Sequence, residues 1–209
     1  VPNTAPTANS NFIIDKVYSS NVTVKVHAGL LADYKSTFTN GFGGIPLANL
    51  TTFENAYIDT NGAIYYWNAI DKSTAYIDYI EGGSTLTDIT IPSSFENGKY
   101  KVLWVTPEAI KALTITLDSG DKISSVKTLT LPANMEYLAF SASDLPSTLT
   151  TLVIDGNNAK FATDGGVLYN KLKTTVFVYP QSKIEIGSAF ELPSTVNEIY
   201  AEAFYGVKN

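Results

Sequence analysis

The sequence predicts a strand-rich α/β solenoid: short parallel strands stacked in coils, interrupted by β-hairpin insertions and closed by a non-repeat N-terminal cap. Three observations predict it. An apolar-x-x-apolar-x-apolar-Pro motif recurs, its copies keep a spacing built on 23 residues, and two strand–turn–strand units interrupt the series. A fixed period of this size marks architectures whose single units cannot bury their own apolar edge and must stack to do so.

The motif reads Leu86-Thr87-Asp88-Ile89-Thr90-Ile91-Pro92, then Val126-Lys127-Thr128-Leu129-Thr130-Leu131-Pro132. A third copy, Leu149-Thr150-Thr151-Leu152-Val153-Ile154-Asp155, carries Asp in the Pro slot. Phe190-Glu191-Leu192-Pro193 reads as a fourth, with Gly187 at its upstream apolar position. Pro132 to Asp155 spans 23 residues, within the roughly 20–29 of leucine-rich repeats. Pro92 to Pro132 spans 40 and Asp155 to Pro193 spans 38, each one repeat with an insertion. In a strand the spaced apolar residues point inward and those between them outward. Stacking therefore predicts two outward columns, Asp88, Thr128 and Thr151 in one, and Thr90, Thr130, Val153 and Glu191 in the other. Thr suits such a ladder because its branched Cβ fits a pleated surface.

The two hairpins are placed near 62–80 and 166–180. Each has a Gly start, an apolar first strand with Tyr, a Lys-bearing turn and a Thr-rich second strand. They read as related units, and Pro180 ends the second. Upstream, Val22, Val24 and Val26 alternate as a strand, and Leu30 to Phe38 reads as a short helix. The expected organisation is a tether over 1–11, an N-terminal cap over 12–55 and an irregular repeat domain over 56–209. The tether, rich in Pro, Thr and Asn, would suit a chain released from a signal peptide or held by a lipid anchor. Continuing the 23-residue period puts the next strand's first apolar residue at 210, so the solenoid is expected to end under a partial cap or to continue in a longer protein.

Composition narrows the function. Of 209 residues, 44% are hydrophobic, 12% aromatic and only 16% charged, enough apolar content for a buried core. The net charge is −6 and every basic residue is Lys. Without Arg, the chain lacks the side chain that grips phosphate with two parallel hydrogen bonds, and an acidic balance argues against nucleic acid and against anionic lipid. No apolar run approaches the roughly 18 residues of a membrane-spanning helix, so direct membrane insertion is not expected. The absence of Cys excludes disulfides, thiolate catalysis and Cys-based zinc sites.

Catalytic constellations are missing. His27 is the single histidine, and it follows an alternating strand, where a structural role is expected. No G-x-S-x-G elbow occurs. Gly41-Phe42-Gly43-Gly44 lacks the Lys-Ser/Thr of a phosphate loop and reads as a turn. Asp118-Ser119-Gly120-Asp121 and Asp155-Gly156-Asn157-Asn158 carry oxygens that would suit calcium, but turn chemistry accounts for both. Asn21-Val22-Thr23 and Asn49-Leu50-Thr51 match the glycosylation pattern. No signal pairs two carboxylates for glycoside hydrolysis. No cofactor, metal or catalytic residue is assigned, and no enzymatic activity is expected. The aromatic group Tyr65, Tyr66, Trp67, Tyr76, Tyr79, Tyr100 and Trp104 is expected mainly in the core, with sugar stacking as the alternative use of any exposed members.

The stretch Leu192-Pro193-Ser194-Thr195-Val196-Asn197-Glu198-Ile199-Tyr200-Ala201-Glu202-Ala203-Phe204-Tyr205-Gly206 resembles the repeat of BspA-like leucine-rich-repeat proteins, which runs I-P-x-x-V-x-x-I-G-x-x-A-F-x-G-C. Phe161 to Lys171 resembles the hairpin insertion common in that family, and so does Asp88 to Ser94 with its following Asn97-Gly98 and Val102. Tyr200 departs from the usual Gly and Val207 from the usual Cys. The resemblance covers about residues 60–209. It implies a leucine-rich-repeat fold in a surface or secreted protein, of a bacterium or a mucosal protist, engaged in adhesion or protein–protein contacts. The implied partner is a protein or glycan on a host or neighbouring cell surface. Three functions stay open: an interaction module using the outward columns, carbohydrate capture through Tyr and Trp, and a structural spacer of a longer surface protein.

Overall fold

The computed structural model describes residues 24–26, 50–52, 55–183 and 190–207. The chain divides into two units, Val1–Ala56 and Tyr57–Asn209. In the first, β1 (Val24–Val26) and β2 (Leu50–Thr52) pair in parallel, Val24 opposite Leu50 and Val26 opposite Thr52. The alternating strand expected there includes β1. Val22, His27, the helix expected over Leu30 to Phe38 and Gly41 to Gly44 lie outside the described residues, as do Asn21, Val22 and Thr23 of the first sequon and Asn49 of the second.

The second unit is strand-rich, with one short α-helix among its described residues. The chain runs through β3 (Asn55–Ile58), β4 (Ile64–Ala69), β5 (Thr74–Glu81), β6 (Asp88–Thr90), β7 (Ser94–Phe95) and β8 (Tyr100–Val105) to α1 (Pro107–Lys111). It continues through β9 (Ile115–Thr116), β10 (Lys122–Ile123), β11 (Thr128–Thr130), β12 (Thr151–Val153), β13 (Phe161–Asp164), β14 (Val167–Asn170), β15 (Thr175–Val178) and β16 (Glu198–Ile199). The helix follows from its first residues: Thr106 Oγ1 accepts the Ala109 N–H at 3.1 Å, and Pro107 gives up an N–H that the first turn would leave orphaned.

The motif copies form the rungs. β6, β11 and β12 lie side by side in one parallel sheet, Ile89 beside Leu129 and Leu129 beside Leu152. The three residues are 1%, 0% and 1% exposed. Of the other inward positions, Val126, Leu149, Ile91, Leu131 and Ile154 are buried with them in one continuous core, and Leu86 packs against it half-buried. Each rung is entered in the same way. Two successive N–H groups donate to one carbonyl of the preceding rung: Lys127 and Thr128 to Thr87, Thr150 and Thr151 to Lys127. The architecture is thus a stacked, solenoid-like arrangement of short strands.

Both expected hairpins form. β4 and β5 pair antiparallel, as do β14 and β15, each with one irregularity in register. Gly62 and Gly166, ahead of the two first strands, have φ of +90° and +84°, which only glycine adopts without strain. Each turn is closed by a side-chain oxygen accepting two N–H groups of the second strand's entry. Asp71 Oδ1 accepts from Ser73 and Thr74 at 2.7 and 2.8 Å, and Asn170 Oδ1 from Thr174 and Thr175 at 2.7 and 3.1 Å. Each second strand then takes a parallel partner, β8 beside β5 and β16 beside β15.

That last pairing changes the reading of the fourth rung. The strand falls at Glu198–Ile199, not at Phe190 to Leu192, and its neighbour is the hairpin's own second strand, Thr175 opposite Glu198 and Val176 opposite Ile199. The step is again 23 residues, as between Thr128 and Thr151. Asn197 and Glu198 both donate to the Thr174 carbonyl, repeating the rung entry seen upstream. The hairpin is therefore part of the stack and supplies a rung itself. Its strands are covered on both faces. Leu168 and Val178 join the main core, while Val167, Tyr169 and Val176 join a second cluster with Tyr179 and Ala203.

The Tyr65 hydroxyl, inside the main core, lies 2.9 Å from the Thr90 carbonyl and 3.1 Å from an Asp59 carboxylate oxygen. Burial, and then the Asp59 charge, push its pKa far above the usual value. The folded chain keeps this proton at a pH where the unfolded chain has lost it. The contribution is complete below about pH 10 and declines as pH rises past it. In urea titrations at successive alkaline pH values, Tyr65→Phe is expected to lose stability less steeply than the parent above about pH 10; equal slopes would count against this role.

Candidate functional site

The outward positions of the three-rung sheet come together as the period requires. Asp88, Thr128 and Thr151 stand opposite one another along one column, and Thr90, Thr130 and Val153 along the next. Their surfaces are exposed or half-buried, while the residues between them are buried. Adjacent rungs of a sheet sit about 4.8 Å apart, so the six side chains make one continuous strip, polar except at Val153. Glu191 does not join it. It is exposed but lies outside any strand, and the carboxylate carried on the fourth rung is that of Glu198, whose Oε2 accepts the Thr175 hydroxyl at 2.8 Å. The signal that locates this rung is Pro146-Ser147-Thr148-Leu149-x-x-Leu152, repeated as Pro193-Ser194-Thr195-Val196-x-x-Ile199. Thr148 and Thr195 perform the same task, each donating its hydroxyl at 2.8 Å to a carbonyl of the neighbouring rung, Val126 and Lys173 respectively.

Chemically the strip offers hydroxyls, one methyl-bearing surface at Val153 and one charge. Hydrogen bonds from the hydroxyls of Thr87 and Thr128 hold the Asp88 carboxyl below its ordinary range, the Thr87 contact being 2.7 Å. The strip therefore presents a fixed negative point at one end and donors and acceptors along the rest.

The aromatic group divides. Tyr65, Tyr66 and Trp67 are buried, Trp67 stacking on Phe95 at 4.7 Å. Tyr76 and Trp104, opposite each other on β5 and β8, stack at 5.2 Å and are half-buried. The exposed ring of Tyr137 meets Trp104 edge-on at 5.9 Å. Tyr79 is exposed and Tyr100 half-buried. Tyr137 had no place in the sequence-level group because it follows a rung rather than a hairpin.

The acidic turns are closed by their own side chains. Ser119 donates to Asp121 at 2.8 Å, and Asp155 Oδ1 accepts the Asn157 N–H at 2.7 Å. Asn158 is different: its amide is buried and makes four hydrogen bonds to backbone, donating to Ala133 and Met135 and accepting from Lys160 and Phe161. Among the described residues, no group of three or more His, Cys, Asp or Glu is placed to hold a metal ion, and no helix is long and apolar enough to cross a membrane.

No family model matches the chain, and no curated protein matches it. Among solved structures, the chain has some likeness to the pneumococcal vaccine antigen PcpA. The TM-score is 0.27 at 16% identity, over 74% of this chain and 62% of that one, so the chain spans less than two thirds of that antigen.

Proposed function

We propose that this chain is a non-catalytic interaction module of a secreted or cell-surface protein, of BspA-like leucine-rich-repeat type, that binds a protein partner through its stacked strand face. The observation that carries the reading is the register. Asp88, Thr128 and Thr151, and beside them Thr90, Thr130 and Val153, form unbroken columns over a rung whose inward residues are fully buried. Such a face is rigid because its strands are held by core packing, so a partner loses little by ordering it on contact.

The test is Thr130→Lys and Val153→Lys. Each puts a long cation on the strip, Thr130 on its central rung and Val153 on an outer one, without touching an inward residue. Both variants are expected to keep the parent's far-ultraviolet circular dichroism and urea midpoint. Retention on host-cell or matrix preparations is expected to drop about tenfold or more, the effect of removing one central contact. Parent-like retention by both folded variants would rule this face out.

A second reading is favoured by the ring group Tyr76, Trp104 and Tyr137, where two rings stack and a third stands exposed beside them. Aromatic faces of this kind stack on sugars. Under it, a glycan array gives binding that Trp104→Ala abolishes and Thr130→Lys leaves intact.

A further inference from the structure

A concave site lies away from both the strand face and the ring group. It is a cleft of about 460 Å³ between α1, the β9–β10 hairpin, the 3-10 turn Ala142–Asp144 and the loop at Tyr205. That volume falls in the range of small-ligand sites. Two ammonium groups, Lys111 and Lys122, face it with one carboxylate, Asp144.

The carboxylate is already engaged. Asp144 accepts from the Ser141 N–H at 2.8 Å, from the Ser141 hydroxyl at 3.3 Å and from Lys111 at 3.3 Å, and its side chain is only 13% exposed. The next carboxylate, Glu202, takes the hydroxyls of Ser141 and Ser143 at 2.9 and 2.8 Å. Its backbone sits at φ +63°, a strained conformation for a residue with a side chain. The ammoniums keep unused donors. Lys111 spends one of three N–H groups on Asp144, and Lys122 has no ion-pair or hydrogen-bond partner among the described residues. In a chain of net charge −6, the residues that line this cleft thus set two ammoniums against one carboxylate, with Glu202 held behind Ser143.

The remaining wall is neutral and, apart from Leu145, polar or aromatic. Thr114, Thr116, Ser147, Gln181 and Tyr205 line it, and none of their side chains hydrogen-bonds another described residue. Hydroxyls and an amide both donate and accept, which matches the hydroxyls of a sugar better than a bare anion. Tyr205, 52% exposed, adds a flat apolar ring. We infer that this cleft binds a carboxylated sugar, its carboxylate at Lys122 and Lys111 and its ring hydroxyls along the Thr, Ser and Gln wall.

The experiment is nitrogen-15 NMR titration of the whole chain with a glucuronic-acid-containing disaccharide, with the same disaccharide after reduction of its carboxyl to an alcohol, and with inorganic phosphate. The acidic sugar is expected to shift resonances of Lys122, Thr116 and Ser147. Affinity is expected to fall about tenfold or more for the reduced sugar and for Lys122→Gln, the loss of one charge-assisted contact. Lys122 is exposed on a two-residue strand, so its replacement leaves the fold intact, which the unchanged spectrum outside the cleft verifies. Thr130→Lys is expected to bind the sugar like the parent, so failure of the strand-face reading and failure of this one are separable. No binding of the acidic sugar, equal binding of its reduced form, or shifts from phosphate alone would each overturn the inference.

Discussion

Replacing Asn158 with Leu is expected to cost about 2–6 kcal/mol of folding stability, read as a lowered urea midpoint at unchanged slope. Leu has the same branching and number of side-chain heavy atoms but is bulkier, so no cavity opens, and crowding adds to the loss of the hydrogen bonds. The Asn158 side chain is 4% exposed and acts as a four-way staple. Its amide donates to the Ala133 and Met135 carbonyls at 2.8 and 2.9 Å, and its oxygen accepts the N–H groups of Lys160 and Phe161 at 2.8 Å each. Ala133, Met135 and Lys160 lie in the loops that leave two successive rungs, and Phe161 is the first residue of β13. Removing the amide strands the Met135 carbonyl and the Phe161 N–H in the core, each costing about 1–3 kcal/mol. Two more are stranded at its margin. Asn158→Asp is expected to fail nearly as badly. It keeps the acceptor but places a buried charge against two carbonyl oxygens. A midpoint for Asn158→Leu within about 0.5 kcal/mol of the parent would show that water replaces the staple.

The difference between Asn158 and its neighbour Asp155 marks how far the sequence was legible. Both belong to one acidic, amide-rich turn, and composition alone reads them alike. Asp155 caps its own turn, a local task that turn chemistry predicts. Asn158 reaches across 23 and 25 residues, a non-local task that no local pattern announces. The same division holds for the rungs. Ile89, Leu129 and Leu152 were legible because a period forces equivalent residues into equivalent places. The last rung was displaced because Phe190 to Pro193 imitates the strand-and-proline ending, whereas Pro193 opens the unit as Pro146 does. Thr148 and Thr195, three and four residues ahead of the first or second strand positions, identify the phase through their hydroxyl contacts. Periodicity of apolar residues does not carry that information.

The hairpins were legible as hairpins, but not as members of the stack. Antiparallel pairing across a short turn is local, and Gly, Asx and Lys mark it. Parallel pairing of β15 with β16 joins segments 23 residues apart and depends on which neighbour is free when the coil closes. The cleft beside α1 was illegible for the same reason on a larger scale. Lys111, Lys122, Ser147, Gln181 and Tyr205 come from five separate segments, and nothing in any one of them signals a shared wall.

Gly83→Ala is expected to destabilise the chain by about 3 kcal/mol or more, an overpacking cost at the upper end because nothing near the site can yield. Gly83 is buried where β5 hands the chain toward the first rung. A Cβ added there would lie 2.1 Å from the Leu113 carbonyl oxygen and 2.5 Å from the Leu113 carbonyl carbon and Cα. These are backbone atoms just past α1, and they are not free to move. Leu113 is fully buried, and its N–H donates to Ile110 at 3.1 Å. On the other side the Gly83 carbonyl accepts the Ser125 N–H at 2.7 Å and the Ser124 hydroxyl at 3.2 Å, which bind it to the entry of β11. Three segments therefore meet at this one glycine: the exit of the first hairpin, the end of the helix and the approach to the second rung. The missing Cβ is what lets them touch. Conformation is not the reason, since Gly82 next to it, at φ +122°, already supplies the unusual backbone angle. The comparison that separates the two causes is Gly62→Ala. That residue has a φ of +90° and open space around it, so only backbone strain opposes the change, and a loss of about 1 kcal/mol is expected. Thermal and urea unfolding of both variants would decide it. A Gly83→Ala loss no larger than that of Gly62→Ala would mean that the helix and the hairpin separate at little cost, and that the rungs alone hold the unit together.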